Sequence, residues 1–317
     1  MTEEILEQVF EVQEPASLYL NNIRGSIEIH PQDPAAESKV ITVKAVKDLD
    51  SGDGDLTTVE MTQESDGKVV VKTRFAGLDV SSFEQLKRRP CKIHFSVEVP
   101  KNCKATLEAV SSSIALDGLQ GAFDLNSISG GIDLQDLDGE LRAHSVSGQI
   151  RAEALKGKLD FESVSGDIDL SKSQVPALKA KTVSGKILVQ AAGQTDAYDF
   201  HTISGDVTLI LAEEQGVSVQ MQSLSGKLNL HHADGIARQR APKDLAVQGG
   251  GPKVRFETIS GDLHLTTQDV YKAEATDQDA PSVSQHDVLQ HDVLASVARG
   301  ELSAEEGLQA LKGSGAG

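Results

Sequence analysis

The chain has 317 residues and a formal net charge of −18 at pH 7, and aromatic residues make up 3% of it, with no tryptophan. A nucleic-acid-binding surface needs clustered lysine and arginine, and single-strand binders add aromatic side chains on which bases stack. We therefore expect no nucleic-acid partner. The same charge disfavours passive binding to anionic lipid headgroups.

The N-terminal segment, MTEEILEQVFEVQ, is acidic and lacks the basic region and apolar core of a secretory signal. No apolar run approaches the length of a membrane span. These features predict a cytoplasmic protein, which a partner could recruit to the inner face of the membrane. Cys91 and Cys103 are too few for a disulfide framework. We expect two free buried thiols, although both lie on consecutive extended segments that would also allow a bridge.

Residues 1–102 contain apolar alternation without a strict repeat. Ile23, Ile27 and Ile29 predict one strand, and a hairpin is expected over the polar turn ESDGK. KIHFSVEVP alternates and stops at Pro100. We interpret this region as an irregular β cap on the first coil of a stack, because an open stack exposes strand edges that invite aggregation.

Glycine returns at every ninth position in the centre of the chain. Apolar residues follow each glycine at two, four and seven positions, and a fixed period is typical of stacked repeats. Two apolar residues at period two predict a short strand with one face inward. The glycine would permit a positive φ or a tight corner. The series is Gly121, Gly130, Gly139, Gly148, Gly157 and Gly166.

A Ser/Thr-x-Ser-Gly motif marks every second unit and sets the true repeat. Its spacing starts at 18 residues and grows to 19, 20, 21 and finally 35. This predicts an all-β fold, a single-stranded parallel β-helix of about eight coils over residues 103–265, with 18–21 residues in most coils. The predicted corner glycines are Gly130, Gly148, Gly166, Gly185, Gly205, Gly226 and Gly261.

The added length falls in the same half of each coil, after the strand that follows the Ser-Gly corner. Insertions at one edge are typical of a binding edge, and also of simple tolerance of loop growth. The longest insertion, residues 231–253, is basic and includes Arg238 and Arg240. These arginines could bind an acidic partner or form salt bridges with the acidic coils of their own chain.

We expect the residue between the two hydroxyls of each corner to point inward, so that Ser127, Ser145 and Ser163 point outward in register. Their hydroxyls would satisfy backbone groups of the corner, or alternatively order water or sugar on the surface. Carboxylates such as Asp133 follow the corners, but Lys186 occupies an equivalent slot, so no fixed ligand set emerges. The sequence predicts no catalytic site, no metal, no cofactor and no small-molecule substrate.

The C-terminal region changes character after Leu265. Residues 266–283 are polar and acidic and predict a flexible linker. Residues 284–313 predict a helical hairpin with two short amphipathic helices, which cannot bury their apolar faces alone. We expect these faces to bind a protein partner or a second copy of the chain. The candidate residues are Val293, Leu294, Val297, Leu308 and Leu311.

The Ser-x-Ser-Gly-Asp-Ile repeats, led in by SVEVPKNCKATLEAVSSSIALDG, resemble the bacterial β-helix family called "putative adhesin" or toastrack over roughly residues 15–265. The resemblance implies a right-handed parallel β-helix without an assigned enzyme activity, in the context of envelope-stress membrane systems. VLASVARGELSAEEGLQAL resembles helical-hairpin modules that mediate oligomerisation or docking. We therefore expect a non-enzymatic scaffold or protein-interaction module. The alternatives are a cell-surface adhesin and, less favoured, a polysaccharide-acting β-helix enzyme.

Overall fold

The computed structural model describes residues 2–33, 35, 39–76, 88–191, 197–212, 216–232, 235–240, 245–247 and 250–271. Within them the chain is almost entirely β-structure, with a 3-10 helix at Leu49–Ser51 and a helical turn at 268–271. The prediction of an all-β fold is confirmed. The strands are β1 (Glu3–Glu11), β2 (Ala16–Pro31), β3 (Val40–Asp48), β4 (Thr57–Gln63), β5 (Val69–Phe75), β6 (Lys92–Val99), β7 (Asn102–Asp117), β8 (Gln120–Ser127), β9 (Ile132–Gln135), β10 (Asp138–Ser145), β11 (Ile150–Glu153), β12 (Lys156–Ser163), β13 (Ile168–Thr182), β14 (Ile187–Ala191), β15 (Ala197–Thr202), β16 (Val207–Leu211), β17 (Val217–Ser223), β18 (Lys227–His232), β19 (Gly235–Arg240), β20 (Leu245–Val247), β21 (Lys253–Thr258) and β22 (Leu263–Thr267).

Alternating burial explains why these segments form strands. Along β6 every second side chain, from Ile93 to Val99, is buried, and the polar side chains between them are exposed. A period of two places one row of side chains inside the stack. The buried rows of successive coils join into one continuous apolar core. Burial of that core is the main favourable contribution to folding.

In the middle of the chain each coil contributes to two stacks of strands, and the strands within each stack pair in parallel. In the first stack β8, β10, β12, β13 and β15 pair in parallel. In the second stack β9, β11, β13, β14 and β16 pair in parallel. Gly139 lies opposite Gly157, which is 18 positions later. The predicted 18-residue coil is therefore confirmed for this part, and the fold is solenoid-like.

The coils do not stack in sequence order at the C-terminal end. β21 and β22 pair with β15 and β16 on one edge and with β17 and β18 on the other. The coil of residues 253–267 therefore lies between two coils that precede it in the chain. β20 pairs antiparallel with β17, and β19 with β18. A simple solenoid in which Gly226 follows Gly205 is wrong here, because Gly261 stacks between them.

The N-terminal end has the same kind of crossing. β2 pairs in parallel with β7 along one edge and with β5 and β6 along the other. β3 pairs antiparallel with β6, β1 with β3, and β4 with β5. Parallel stacking thus begins at Ala16, inside the region 1–102 for which we predicted an irregular cap. β1, β3 and β4 supply the antiparallel cover at this end.

The close approach of neighbouring coils explains the corner glycines. A Cβ added to Gly130 would lie 1.9 Å from the carbonyl oxygen of Ser112, and one added to Gly148 would lie 1.9 Å from that of Gly130. The corresponding distance is 1.9–2.2 Å at all seven predicted corner glycines. None of the seven has a positive φ, so the tight corner is the alternative that holds. Positive φ occurs instead in the other half of the coil, for example 140° at Gly139.

The two cysteines are buried and form no disulfide. Burial raises the pKa of the Cys103 thiol to about 12, because removal from water disfavours the thiolate. The structure shows the free thiols that we expected rather than the bridge. The C-terminal prediction is a different matter: β22 ends at Thr267, and the helical hairpin of 284–313 lies outside the described residues.

Replacing Gly130 by alanine tests the close approach at the corner. The coils would have to separate to admit the Cβ, so we expect the free energy of unfolding to fall by about 3 kcal/mol. Denaturant unfolding followed by circular dichroism measures the change. The matched control is Gly131→Ala, whose Cβ would meet only the Gln149 carbonyl oxygen at 3.6 Å. We expect the control to stay within about 0.5 kcal/mol of wild type, and equal losses in both variants would contradict the explanation.

Candidate functional site

At the corners the first hydroxyl residue of the motif points inward and the apolar residue after it points outward, which is the reverse of our prediction. Ser127 is 4% exposed, whereas the neighbouring Ile128 is 52% exposed. Strand alternation explains this, because Phe123 and Leu125 point inward and Ser127 continues their row. The predicted outward row of hydroxyls is therefore wrong for the first residue of the motif. The first hydroxyl residue of the motif is buried at five corners, namely Ser127, Ser145, Ser163, Thr182 and Thr202.

At Ser127, Ser145 and Thr182 the buried hydroxyl closes the corner by bonding to the backbone of the glycine three residues later, whereas Thr202 Oγ1 bonds to Thr258 Oγ1 at 3.0 Å. Ser127 Oγ accepts from the Gly130 N–H at 3.1 Å and lies 2.7 Å from the Gly130 carbonyl oxygen, to which it can donate. The Gly185 N–H donates to Thr182 Oγ1 at 2.9 Å. Buried backbone groups need such partners. The structural role that we favoured for the hydroxyls is confirmed, although from inside the coil.

The second serine of the motif is exposed and links its coil to the preceding one. Ser129 Oγ donates to the Val110 carbonyl oxygen at 2.9 Å, and Ser147 Oγ donates to the Ile128 carbonyl oxygen at 3.1 Å. In the motifs of residues 127–130 and 145–148 both hydroxyls therefore make hydrogen bonds to the backbone of the corners. They hold the outward residue between them in a fixed place.

That outward residue is Ile, Val or Leu in all seven corner motifs, and together with Val110, which follows Ala109 at the equivalent position, it forms what we call the apolar ridge. Backbone hydrogen bonds of 3.0 Å, from Ser260 to Ile203 and from Ser225 to Ile259, fix its order at the C-terminal end. At about 4.8 Å per coil, the ridge is about 34 Å long. Exposure of its side chains runs from 38% to 86%. Its members in stack order are Val110, Ile128, Val146, Val164, Val183, Ile203, Ile259 and Leu224.

A row of polar residues, the polar ladder, runs parallel to the ridge. Each member stands immediately before the inward residue of its corner, so strand alternation turns it outward on the same side as the ridge. Strand register aligns the ladder from coil to coil. Its members in stack order are Asn21, Glu108, Asn126, His144, Glu162, Lys181, His201, Glu257 and Gln222.

A groove with a volume of ≈ 730 Å³ lies between the ridge and the ladder. Its apolar side runs from Val110 to Ile203, and its polar side runs from Asn21 to His201. The groove thus follows several successive coils instead of forming a closed pocket. An elongated ligand with one apolar side matches this shape better than a compact one.

Ion pairs fix the charges along the ladder. Lys181 Nζ lies 2.7 Å from Glu162 Oε1, and His144 Nδ1 lies 3.3 Å from Glu162 Oε2. The Lys181 hydrogen bond lowers the pKa of Glu162, and the same bond raises the pKa of Lys181. A hydrogen bond from Arg255 lowers the pKa of Glu257. These partly exposed pairs add little stability, and the lowered pKa values mean that Glu162 and Glu257 stay ionised to a more acidic pH than an ordinary glutamate.

Sequence reasoning did not identify the ridge, although its signal was present. The residue between the hydroxyls is Ile, Val or Leu in every corner motif, and a corner does not require an apolar residue there. The ridge lies at the serine corner and not at the edge where the insertions fall, for which we had left binding and simple loop growth open. Arg238 and Arg240 lie on β19, opposite Asn229 and Lys227 of β18. Their side chains, and the candidates Val293, Leu294, Val297, Leu308 and Leu311, lie outside the described part of the structure.

Some of the outward carboxylates after the corners lie in a separate groove. Asp133 and Asp169 line it together with Arg151, whose Nη1 is 3.8 Å from Asp133 Oδ1. Burial raises the pKa of Asp169. Among the described residues, no group of three or more His, Cys, Asp or Glu side chains could hold a metal ion. In the same residues no helix has the length and apolarity needed to cross a bilayer.

The stacked parallel strands and their glycine corners define a solenoid-like all-β protein. Residues 13–266 match the family model described as Toastrack DUF4097, and the chain belongs to this family. No curated protein matches the chain.

Several solved structures are similar to the chain at low sequence identity. A putative adhesin from Bacteroides fragilis NCTC 9343 is 11% identical, with 83% of this chain and 97% of that chain covered and a TM-score of 0.40. A putative adhesin from Parabacteroides merdae ATCC 43184 is 12% identical, with 83% and 96% covered and a TM-score of 0.42. A putative lipid binding protein from Parabacteroides distasonis ATCC 8503 is 14% identical, with the same coverage and a TM-score of 0.42.

Replacing Ser145 by alanine tests the role of the buried hydroxyl. Ser145 Oγ donates to the Gly148 carbonyl oxygen at 2.7 Å, and its loss leaves that buried corner short of a partner. We expect a loss of about 1–3 kcal/mol in the free energy of unfolding. Ser147→Ala is the matched control, because water can replace an exposed hydroxyl, and we expect a loss of about 0.5 kcal/mol or less. A larger loss for Ser147→Ala would overturn this assignment.

Proposed function

We propose that this protein is a non-catalytic interaction scaffold that docks an elongated protein partner on the apolar ridge and its groove. One observation carries the proposal: successive coils expose an apolar side chain at the same corner position. Among the described residues, ten large apolar side chains are exposed, and eight of them belong to the ridge. Contiguous exposed apolar surface of this kind marks interaction sites.

The geometry favours a partner with an apolar stripe, such as an amphipathic helix. Backbone groups at the corners already bond to the next coil, as the Ser147 N–H does to the Ile128 carbonyl oxygen. An added strand would therefore find few free backbone partners there. A helix advances about 5.4 Å per turn and the ridge advances about 4.8 Å per coil, so apolar residues of successive turns can follow successive coils. Docking of an apolar helix face into a groove is a recurring recognition mode.

The polar ladder supplies specificity beside the ridge. Glu108 and Glu162 contribute negative charge to the rim, while Lys181 interrupts it. A partner helix with basic residues beside its apolar stripe would complement the carboxylates and meet repulsion at the lysine. Such a pattern would set the register of the helix along the groove.

The cellular location and the biological role are part of the same proposal and rest on the sequence. A place in the cytoplasm is part of this proposal, and the toastrack resemblance supports a role in envelope-stress signalling at the inner face of the membrane. The same resemblance supports a right-handed coil. No enzyme activity is proposed, because the conspicuous hydroxyls of the repeats bond to corner backbone.

A cell-surface adhesin is the second candidate. The ridge favours it to the same extent, since an extended apolar strip could bind a partner on another cell as well as one in the cytoplasm. The two candidates differ in location and not in the surface used. Fractionation of the cells that make this protein separates them, because an adhesin must be found outside.

A triple variant, Val146→Thr, Val164→Thr and Val183→Thr, tests the ridge as the docking surface. Threonine keeps the size and β-branching of valine, so the strand ends should persist while the apolar surface is lost. We expect proteins captured from a native lysate by the immobilised wild-type chain to be lost with this variant. Quantitative mass spectrometry of the captured proteins measures the difference.

The matched control replaces the same three valines by isoleucine, which keeps the ridge apolar. We expect it to capture the same proteins as wild type. Circular dichroism must show equal β-content in all three chains. If the threonine variant retained every protein that wild type captures, the ridge would not be the docking surface.

The predicted C-terminal helices are proposed as a second handle, for self-association or docking. The support is the apolar spacing of Val293, Leu294 and Leu308 in the sequence. We expect light scattering to give a mass above that of a monomer for the full chain and a monomer mass for a chain ending at Thr267. Identical masses across micromolar concentrations would exclude self-association through these helices.

A further inference from the structure

In the part of the chain that the structure describes, two large apolar side chains outside the ridge are exposed, and both lie on β1. Ile5 is 58% exposed and Val9 is 56% exposed. On the same face of the strand, Glu3, Glu7 and Glu11 are also exposed. One face of β1 therefore alternates carboxylates with apolar side chains over its whole length.

β1 is also an edge strand. It pairs antiparallel with β3 through nine residues, from Glu3↔Asp48 to Glu11↔Val40. Within the described residues β3 is the sole strand that pairs with it. A long edge strand presents unpaired backbone groups to which another strand can bond.

The pairing pattern shows which backbone groups are free. The Leu49 N–H donates to the Thr2 carbonyl oxygen, and the Val12 N–H donates to the Lys39 carbonyl oxygen. In an antiparallel pair every second residue faces the partner strand. Even-numbered residues of β1 therefore face β3, and odd-numbered residues turn their N–H and C=O groups to the open edge. The Glu11 carbonyl also points to this edge, but it already accepts from Gln63 Nε2 of β4 at 2.7 Å, so the open part of the edge runs from Glu3 to Val9.

A second copy of β1 does not fit this edge. If two copies pair antiparallel about Glu7, then Glu7 lies opposite Glu7 and Glu3 lies opposite Glu11. Pairing about Ile5 places Glu3 opposite Glu7. In a register shifted by one residue, carboxylates lie opposite Ile5 and Val9. Like charges directly opposite destabilise a strand pair, and the shifted register places carboxylates opposite apolar side chains. Pairing between two copies of β1 is therefore disfavoured.

We propose that β1 accepts, by strand addition, a segment of another protein in which basic and apolar residues alternate on one face. Lysine or arginine side chains of that segment would lie opposite Glu3, Glu7 and Glu11. Branched apolar side chains would lie opposite Ile5 and Val9. The net charge of −18 adds a long-range attraction for such a segment. This surface is independent of the ridge, which offers no free strand edge.

The probe for this proposal is the peptide acetyl-KTVTKTVTK-amide, labelled for fluorescence anisotropy and titrated with the full chain. Its lysines and valines share one face with the spacing of the β1 carboxylates and apolar residues. We expect saturable binding that weakens as salt is added. The charge-reversed peptide acetyl-ETVTETVTE-amide should not bind.

Three variants separate strand addition from general attraction to an acidic protein. Glu3→Lys with Glu7→Lys should weaken binding by about tenfold or more. Asp117→Lys with Asp138→Lys makes the same change in net charge at exposed sites elsewhere and should leave binding nearly unchanged. Ile5→Pro removes an N–H that faces the open edge and not β3, so it should abolish binding while circular dichroism stays the same.

Amide hydrogen exchange gives the sharpest readout. Peptide binding should slow exchange at Ile5, Glu7 and Val9, while even-numbered residues, already bonded to β3, should change little. No binding of the lysine peptide would overturn the proposal and leave the carboxylates as guards against aggregation. Equal weakening by the two charge variants, or binding without protection of the odd-numbered amides, would overturn it as well.

Discussion

Contact between the main chains of neighbouring coils is the constraint on which the rest of this structure depends. At each corner the carbonyl oxygen of one coil occupies the place that a Cβ of the next would need, as Ser112 does for Gly130. Glycine removes the clash, and at Gly130 the hydroxyl of Ser127, three residues earlier, supplies partners for the glycine backbone. Because that hydroxyl points inward, the next residue points outward. The position of the ridge is thus a consequence of the corner, whereas its apolar composition is not, since a polar residue would satisfy the corner equally well.

The sequence predicted the repeat and failed where local pattern carries no information. Every central coil repeats the same contacts, so the 18-residue spacing of Gly139 and Gly157 could be read directly. Ile128 and Leu137 both stand seven places after a glycine, yet Ile128 is 52% exposed and Leu137 is 3% exposed. A hydroxyl bonded to the backbone can be buried as readily as an apolar group. The sequence therefore does not show whether the hydroxyl residue or the apolar residue of a corner points inward. Coil order was hidden for another reason: Gly226 and Gly261 have the same local motif, and nothing near either one specifies its neighbour.

The two interaction surfaces use different physical means. The ridge offers side chains over bonded backbone, so its recognition depends on apolar area and on the charges of the polar ladder. β1 offers backbone groups flanked by alternating carboxylates, so its recognition depends on strand pairing and charge. A partner suited to one surface is therefore poorly suited to the other. The fold can present both because parallel coils build the ridge, while the antiparallel cover at the N-terminal end places β1 at an edge.

The crossings at the two ends determine how the stack can come apart. In a linear array the last repeat is joined to the rest by one connection, so it can fray and refold without disturbing its neighbours. Here the outermost C-terminal coil, β17 and β18, has chain on both sides that leads into inner coils. The outermost N-terminal coil, β5 and β6, is held in the same way by β2 and β7. Neither terminal coil has a loose end from which unwinding could start, and no further coil can be added by simple extension of the chain. The length of this solenoid is therefore fixed by its topology.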